Sequence, residues 1–302
     1  MKELVRTGEN REVGFIARVG IAYEVLRWEE KALADAAKDL NLSVDLLHIH
    51  SLQLLIGRNG LHELSGIDDE IVLQRAISHT TALNVTLALE SLGIRVINTS
   101  NATATAMNKL WTASILARAG IKIPRTIIAF SEESCYKSAQ LLGYPVVVKP
   151  IDGSWGRLIA MARDDEELRA ILEHRTYMPN PTMKVHMLQE FVKKPGRDIR
   201  IFVVGDETPA AIYRVSGHWI TNTARGGKAV AARIDAELSE LALKSAKLIG
   251  IEVAGIDVFE DPERGYIVNE INAIPEFKNT VAATGIQLHT KIVEYIRNQV
   301  RK

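Results

Sequence analysis

The chain has 302 residues, and its 37 Lys+Arg balance 37 Asp+Glu to a formal net charge of zero. That balance removes the broad electrostatic attraction on which nucleic-acid binding rests, and the length is enough for about two compact units or three small ones. A content of 47% hydrophobic and 25% charged residues is the ordinary globular mix and argues against a disordered or fibrous chain.

No apolar run approaches the roughly 20 residues that cross a bilayer. The charged stretch Met1–Val13, and Arg18 inside the apolar residues after it, do not resemble a secretory signal. A cytoplasmic protein with neither membrane nor nucleic acid as partner is expected. The single cysteine, Cys135, leaves no internal disulfide to form; it falls within an expected helix and reads as structural.

In chain order, Val19–Tyr23 reads as a strand and Arg27–Leu40 as a helix, with Leu33, Ala36, Ala37 and Leu40 on one face. Strands follow at Val44–Ile49, Ile71–Leu73 and Val96–Ile97. A helix over Ala82–Leu92 is closed by Gly93. The alternation implies a small parallel α/β domain over residues 1–100, followed by a polar linker at Ser100–Ala106.

A helix at Lys109–Ala119, a strand at Thr126–Ala129, a helix at Glu133–Leu142 and a buried strand at Val146–Lys149 form a central lobe, residues 101–185. Asp164 and Glu167 start its last helix in the manner of a capping box. The remainder, 186–302, reads as mostly antiparallel sheet. Its strands are Leu188–Val192, Ile199–Val204, Ala210–Val215, Ile256–Phe259 and Tyr266–Asn272, with helices at Ala236–Leu248 and His289–Val300.

The most informative segment is Gly255–Asn272. Glu270 and Asn272 are two apart on a strand and face the same way. With an even-numbered loop at Asp261–Arg264, Asp257 lies opposite Val268 on that same face. Two carboxylates and an amide oxygen suit Mg²⁺, which takes a few protein oxygens and fills its octahedron with phosphate and water; an odd loop would break the set. The bland alternative is a pair of solvated acids.

Lys109 near a helix start and Lys149 at the end of an apolar strand read either as counter-charges for a triphosphate or as lysines reaching from strand ends to solvent. Gly153-Ser154-Trp155-Gly156-Arg157 follows directly, and its glycines let backbone N–H groups approach phosphate. Thr221–Lys228, with Asn222 and Arg225, is a second polar, cationic loop. With Arg214 it could hold an acidic substrate or a transferred phosphate. Gln189-Glu190-Phe191-Val192 is an extended segment able to offer backbone groups to an adenine edge, or simply a core strand. His48 and His50 lack a third ligand and read as ordinary packing.

Taken in order, Lys109, Val146–Lys149, Gly153–Arg157, Gln189–Val192, Asp198-Ile-Arg200, Asn222–Gly227, Asp257 and Asn269–Asn272 resemble the ATP-grasp superfamily. Lys194–Arg200, His218–Gly227 and Glu276–Asn279 resemble its RimK-like branch, and within it the LysX family of lysine biosynthesis with its ArgX sister group. The resemblance covers nearly the whole chain. It implies an ATP-grasp fold, α/β and α+β, in which an N-terminal parallel α/β domain precedes two lobes clasping ATP.

The resemblance further implies ATP contacts at Lys109, Lys149, Gly153–Arg157, Gln189–Val192, Asp198 and Arg200. It implies two Mg²⁺ ions on Asp257, Glu270 and Asn272, and catalytic roles for Arg214, Arg225 and Asn222. The implied reaction joins 2-aminoadipate through its α-amine to the C-terminal glutamate of the acidic carrier protein LysW. The alternatives are glutamate as the amino acid, glutamylation of a cofactor or protein tail, and a catalytically silent ATP-binding protein. Ala273-Ile274-Pro275 stands where the family often has His-Thr-Met, which leaves the amino acid open. Many relatives form symmetric oligomers, so a homo-oligomer is also expected.

Overall fold

The computed structural model describes residues 17–57, 60–63, 67, 69–153, 157–221 and 226–300. Ser154, Trp155, Gly156, Asn222 and Arg225 lie outside the described residues. No described helix is long and apolar enough to cross a membrane.

The N-terminal unit runs through β1 (Arg18–Tyr23), α1 (Trp28–Asp39), β2 (Ser43–His48), the hairpin β3 (Leu54–Gly57) and β4 (Gly60–Glu63), β5 (Ile71–Gln74), α2 (His79–Ser91) and β6 (Arg95–Ile97). Strands β2, β1, β5 and β6 form one parallel sheet in that order, as the alternation of strand and helix requires. The β3–β4 hairpin was not expected from the sequence.

The stretch expected to be a linker is instead α3 (Ser100–Met107). Thr99 caps it by accepting from the Ala102 amide, and Ala102 and Ala106 bury themselves in a core shared with the C-terminal lobe. Small polar residues had suggested a loop; their burial against neighbouring elements overrides weak local propensity.

The central lobe comprises α4 (Lys109–Arg118), β7 (Thr126–Ala129), α5 (Glu132–Leu142), β8 (Val146–Lys149), β9 (Ala160–Ala162), α6 (Asp165–Thr176) and β10 (His186–Glu190). Its sheet order is β7-β10-β8-β9. Strand β10 pairs antiparallel with both β7 and β8, so a lobe boundary at residue 185 would cut this sheet. The expected sheet partners of Leu188–Val192 are accordingly wrong: that segment does not belong with the C-terminal strands.

Those strands are β11 (Arg197–Val204), β12 (Ala211–Val215), β13 (Lys228–Ala231), β14 (Val253–Asp261) and β15 (Gly265–Asn272), in the antiparallel order β13-β12-β11-β14-β15. Helix α7 (Ala236–Ile249) precedes β14, and α8 (Lys278–Thr284) and α9 (Leu288–Val300) follow β15.

The apolar cores explain how these pieces hold each other. Val19, Ile21 and Leu33 of the N-terminal unit share one cluster with Phe202 of β11, Phe277, and Ile292 and Ile296 of α9. The central lobe has its own cluster, from Ala129, Cys135, Val146, Val148, Leu168, Leu172 and Leu188. Asn98 fastens the first junction further. Its amide donates to the carbonyls of Val253 and Ala273, both at 2.8 Å, and its oxygen accepts from the amides of Glu252 and Val253, both at 2.9 Å. Every lone pair and proton of that buried side chain is thereby used. His48 and His50 stack on each other, with ring centroids 5.4 Å apart.

Candidate active site

The β14–β15 hairpin sets the geometry of the site. Asp261 pairs with Gly265, so the loop between them is the three residues Pro262, Glu263 and Arg264, odd rather than even as expected. Asp261 draws the chain into this turn by accepting from the amides of Glu263 and Arg264, and Gly265 closes it at φ +74°. By itself the odd loop would turn Asp257 away from Glu270. The register, however, shifts between Asp257 and Val258, where Asn269 is the extra residue of a bulge. Two irregularities cancel, and Asp257 lies directly opposite Glu270 and Gly255 opposite Asn272.

Asp257 is 4% exposed, and its carboxylate is held between two guanidiniums. Arg200 engages both oxygens through Nε and Nη2, and Arg214 Nη2 stands 2.9 Å from Oδ2. Burial works to raise the pKa of the acid, but these cations outweigh it and hold the carboxyl below its usual range. Arg214 also forks onto Asp198, at 2.7 and 2.9 Å. Asp198 further accepts from Thr221 Oγ1 and faces Lys194 Nζ at 3.4 Å. The result is a buried lattice of alternating charge, in which each ion has its partners fixed in advance.

Two more cations face Glu270 and the bulge. Lys109, 7% exposed at the start of α4, places Nζ 3.3 Å from Glu270 Oε1 and donates to the Gly153 carbonyl. Asn108 caps that helix by accepting from the Leu110 and Trp111 amides, which fixes where the lysine emerges. Lys149, 4% exposed, donates to Asn269 Oδ1 at 3.2 Å. Burial pushes its ammonium down to about 8, Glu270 works against the shift and Lys109 adds to it.

These side chains divide two cavities. One, of about 810 Å³, is lined by Lys109, Lys149, Gly153, Arg157, Gln189, Glu190, Phe191, Val192 and Asp198, and by Asp257 and Glu270 at its end. Gln189 and Glu190 do not offer their side chains to it freely. Gln189 Nε2 donates to Thr126 Oγ1 at 2.8 Å, and Glu190 accepts from Arg264 and from the Arg125 amide. What that strand presents is backbone and the Phe191 ring. Trp219 packs edge-on to Phe191, centroids 6.2 Å apart, and Lys194 Nζ lies 4.8 Å above the Phe259 ring. Neither Trp219 nor Lys194 was singled out as a site residue, although both fall within the marker segments.

The second cavity, about 910 Å³, lies across the Asp257–Glu270 wall and is lined by Arg27, His79, Arg200, Arg214, Asn272 and Glu276 among others. Arg200, expected among the nucleotide contacts, lines this cavity instead. Its position follows from register, since Arg200 pairs with Asp257 across β11 and β14. Arg27 and His79 were missed, because nothing in their local sequence distinguishes them from surface residues; Glu276 was not singled out as a site residue although it opens a marker segment. Arg27 Nη1 donates to Glu276 at 3.2 Å, and Arg75, buried below, donates to Glu30 at 3.1 Å and to the Pro275 carbonyl at 3.0 Å.

Asp257, Glu270 and Asn272 lie on one face of the hairpin and all line this cavity. Asn272 Nδ2 donates to the Gly255 carbonyl at 3.2 Å, which turns its oxygen away from that bond. Among the described residues no three His, Cys, Asp or Glu side chains gather as a metal cage. Two carboxylates and one amide are the kind of oxygen donors that Mg²⁺ takes, with substrate oxygens and water filling its shell; the Asp257 carboxylate is here engaged by Arg200 and Arg214.

Comparison with known proteins agrees with this architecture. Residues 19–105 match the LysX preATP-grasp domain and 106–296 the RimK-like ATP-grasp domain. Alpha-aminoadipate--LysW ligase LysX of Sulfurisphaera tokodaii is 44% identical over 94% of this chain and 99% of its own length. Glutamate--LysW ligase ArgX of Sulfolobus acidocaldarius is 37% identical over 93% and 98%. The crystal structure of a RimK domain ATP-grasp protein from Sphaerobacter thermophilus superposes with a TM-score of 0.76, at 23% identity, over 92% of this chain and 99% of that one. A nucleotide-sized cleft with buried lysines, a second cavity across a shared acidic wall, and these matches along both segments have one reading: the chain belongs to the RimK-like ATP-grasp family, with a LysX-type N-terminal domain.

Proposed function

We propose that this protein is an ATP-dependent ligase of the cytoplasm that joins the α-amino group of 2-aminoadipate to the C-terminal glutamate of the carrier protein LysW, releasing ADP and phosphate. The observation that carries the reading is the common wall: Asp257 and Glu270 border both cavities, one flanked by buried lysines and the other by arginines. A phosphoryl group can pass from one side to an anionic acceptor on the other without leaving the protein. The 44% identity to a LysX over nearly its full length supports the choice of substrates.

The chemistry needs such a division. A carboxylate is a poor electrophile because its leaving group would be oxide; once phosphorylated, it loses phosphate readily. Asp257, Glu270 and Asn272 would hold Mg²⁺, in our reading two ions, which when bound neutralise phosphate charge. Lys109 and Lys149 offset the remaining phosphate charge from the opposite side, as fixed groups that need no reorganisation. Phe191 and Trp219 border the space for the base. Asp198, committed to Arg214, Thr221 and Lys194, positions those groups. Arg200 and Arg214 attract the acceptor carboxylate and then the transferred phosphoryl group. We assign Arg225 and Asn222 to the same task, and Ser154, Trp155 and Gly156 to covering the phosphates.

The test is to incubate the protein with Mg-ATP, purified LysW and either 2-aminoadipate or glutamate, and to weigh the carrier. A gain of one aminoadipyl residue is expected. A gain only with glutamate favours the second reading, an ArgX-type ligase, which the 37% identity to ArgX keeps in view. No gain with either would overturn both.

A further inference from the structure

The ligase reading leaves one proton without a destination. The incoming amino acid carries its α-nitrogen as an ammonium, which has no lone pair with which to attack. Among the described residues lining the acceptor cavity, one imidazole is present, that of His79.

His79 is held from three directions. It opens α2, directly after Ser78, whose hydroxyl caps the helix by accepting from the Thr81 amide. The Glu24 carboxylate accepts from the amides of Ile77 and Ser78, at 2.6 and 2.8 Å, and so fixes the approach to the helix. Finally, His79 Nδ1 is hydrogen-bonded to Asp152 Oδ1. Asp152 sits beside Gly153 at the end of β8, in a bridge with Asn108, the cap of the helix that begins with Lys109. Its bond to His79, then the Gly153 amide and Lys109, hold its carboxyl below the usual range, so it is ionised and only accepts. Nδ1 therefore carries a hydrogen, and in the neutral imidazole the lone pair is left on Nε2. Nucleophile-activating imidazoles are oriented by a third group in this way. The charged groups on the other walls are Arg27, Arg200 and Arg214, with Asp257, Glu270 and Glu276.

We propose that His79, oriented by Asp152, is the base that deprotonates the α-ammonium of the amino acid in the acceptor cavity; the assignment rests on the ligase reading above. Two protons leave the nitrogen as the amide forms. His79 Nε2 takes one, which frees the lone pair that makes the new C–N bond. The C–O bond to phosphate breaks with its electron pair, and the departing phosphate takes the second proton. The imidazolium then returns its proton to solvent. Asp152 is a positioning residue. The competing interpretation is that the pair merely ties the N-terminal unit to the base of the Gly153 loop.

Hydroxylamine separates the two. It is unprotonated at neutral pH and captures an acyl phosphate without help from a base. In His79→Gln, with Mg-ATP and LysW, amide formation with 2-aminoadipate is expected to fall about 10²-fold or more, while hydroxamate formation falls far less. Asp152→Asn, which favours the wrong tautomer, should reproduce the split. Equal losses in both assays would overturn the proposal in favour of a tie, as would no loss in either. Absence of carrier hydroxamate with the unaltered protein would remove the ligase reading itself, and the base with it.

Discussion

The two cavities on either side of Asp257 and Glu270 are built in different ways. The cleft lined by Lys109 and Lys149 takes its polar groups from the central lobe and the C-terminal strands, and its Lys149–Asn269 hydrogen bond joins residues 120 positions apart. The acceptor cavity is assembled from distant pieces, and its Arg27–Glu276 ion pair joins residues 249 positions apart. One cavity lies between two lobes; the other needs the N-terminal unit as well, which supplies Arg27 and His79.

The largest expected effect tests the lattice that both sides lean on. Arg214→Met leaves Asp198 and Asp257 buried beside fewer cations, and a stability loss of about 3–5 kcal/mol is expected from denaturant unfolding. An unchanged midpoint would mean that the two acids do not depend on it. Next, Glu270→Gln should slow phosphate release by about 10²–10³-fold, with circular dichroism unchanged, because Glu270 is a half-buried wall residue rather than core.

A pair of smaller substitutions tests whether the cavities are separable. Trp219→Ala should raise the KM for ATP about tenfold, the equivalent of roughly 1.4 kcal/mol, with that for 2-aminoadipate unaltered. Arg27→Gln should do the reverse. Crossed effects would show that the wall does not divide two independent sites.

The smallest effect is a pH dependence confined to the nucleotide side. Lys149 titrates near 8 in the folded chain, against roughly 10.4 when unfolded. Between those values the unfolded chain binds more protons, so this residue makes stability rise with pH across that window. Nucleotide binding has the opposite sign. It favours the ammonium, so affinity should weaken as pH rises through about 8, and calorimetry in buffers of different ionisation heat should show proton uptake. Lys149→Arg should abolish both trends.

How far the sequence could be read follows from the same contrast. Elements with strong apolar periodicity, such as α1 with Leu33, Ala36 and Ala37 buried, were legible from spacing alone. The convergence of Asp257, Glu270 and Asn272 was expected through an even loop and arises instead from an odd loop offset by the bulge at Asn269. Alternation along a strand cannot reveal such a compensation. Helix α3 was hidden because its burial against the C-terminal lobe, not its residues, makes it helical. His79 and Arg27 carry no local signal, since their surroundings come from other parts of the chain. Arg200 was recognised as a site residue, but its place opposite Asp257, on the wall of the second cavity, follows from a register that the sequence does not show.

The separate apolar cluster of the central lobe has a mechanical consequence. The N-terminal unit and the C-terminal strands are welded through one common interior, and α4 joins the C-terminal strands in another through Leu116, whereas the sheet carrying Lys149 packs around a cluster of its own. It meets the others through polar links such as Lys149 to Asn269, Glu190 to Arg264 and His79 to Asp152. Parting them exposes charged and amide groups rather than apolar surface, so displacing this sheet disturbs the shared interiors less than displacing any other part of the molecule would. Because one of these links is His79 to Asp152, any such displacement would also change the setting of the imidazole.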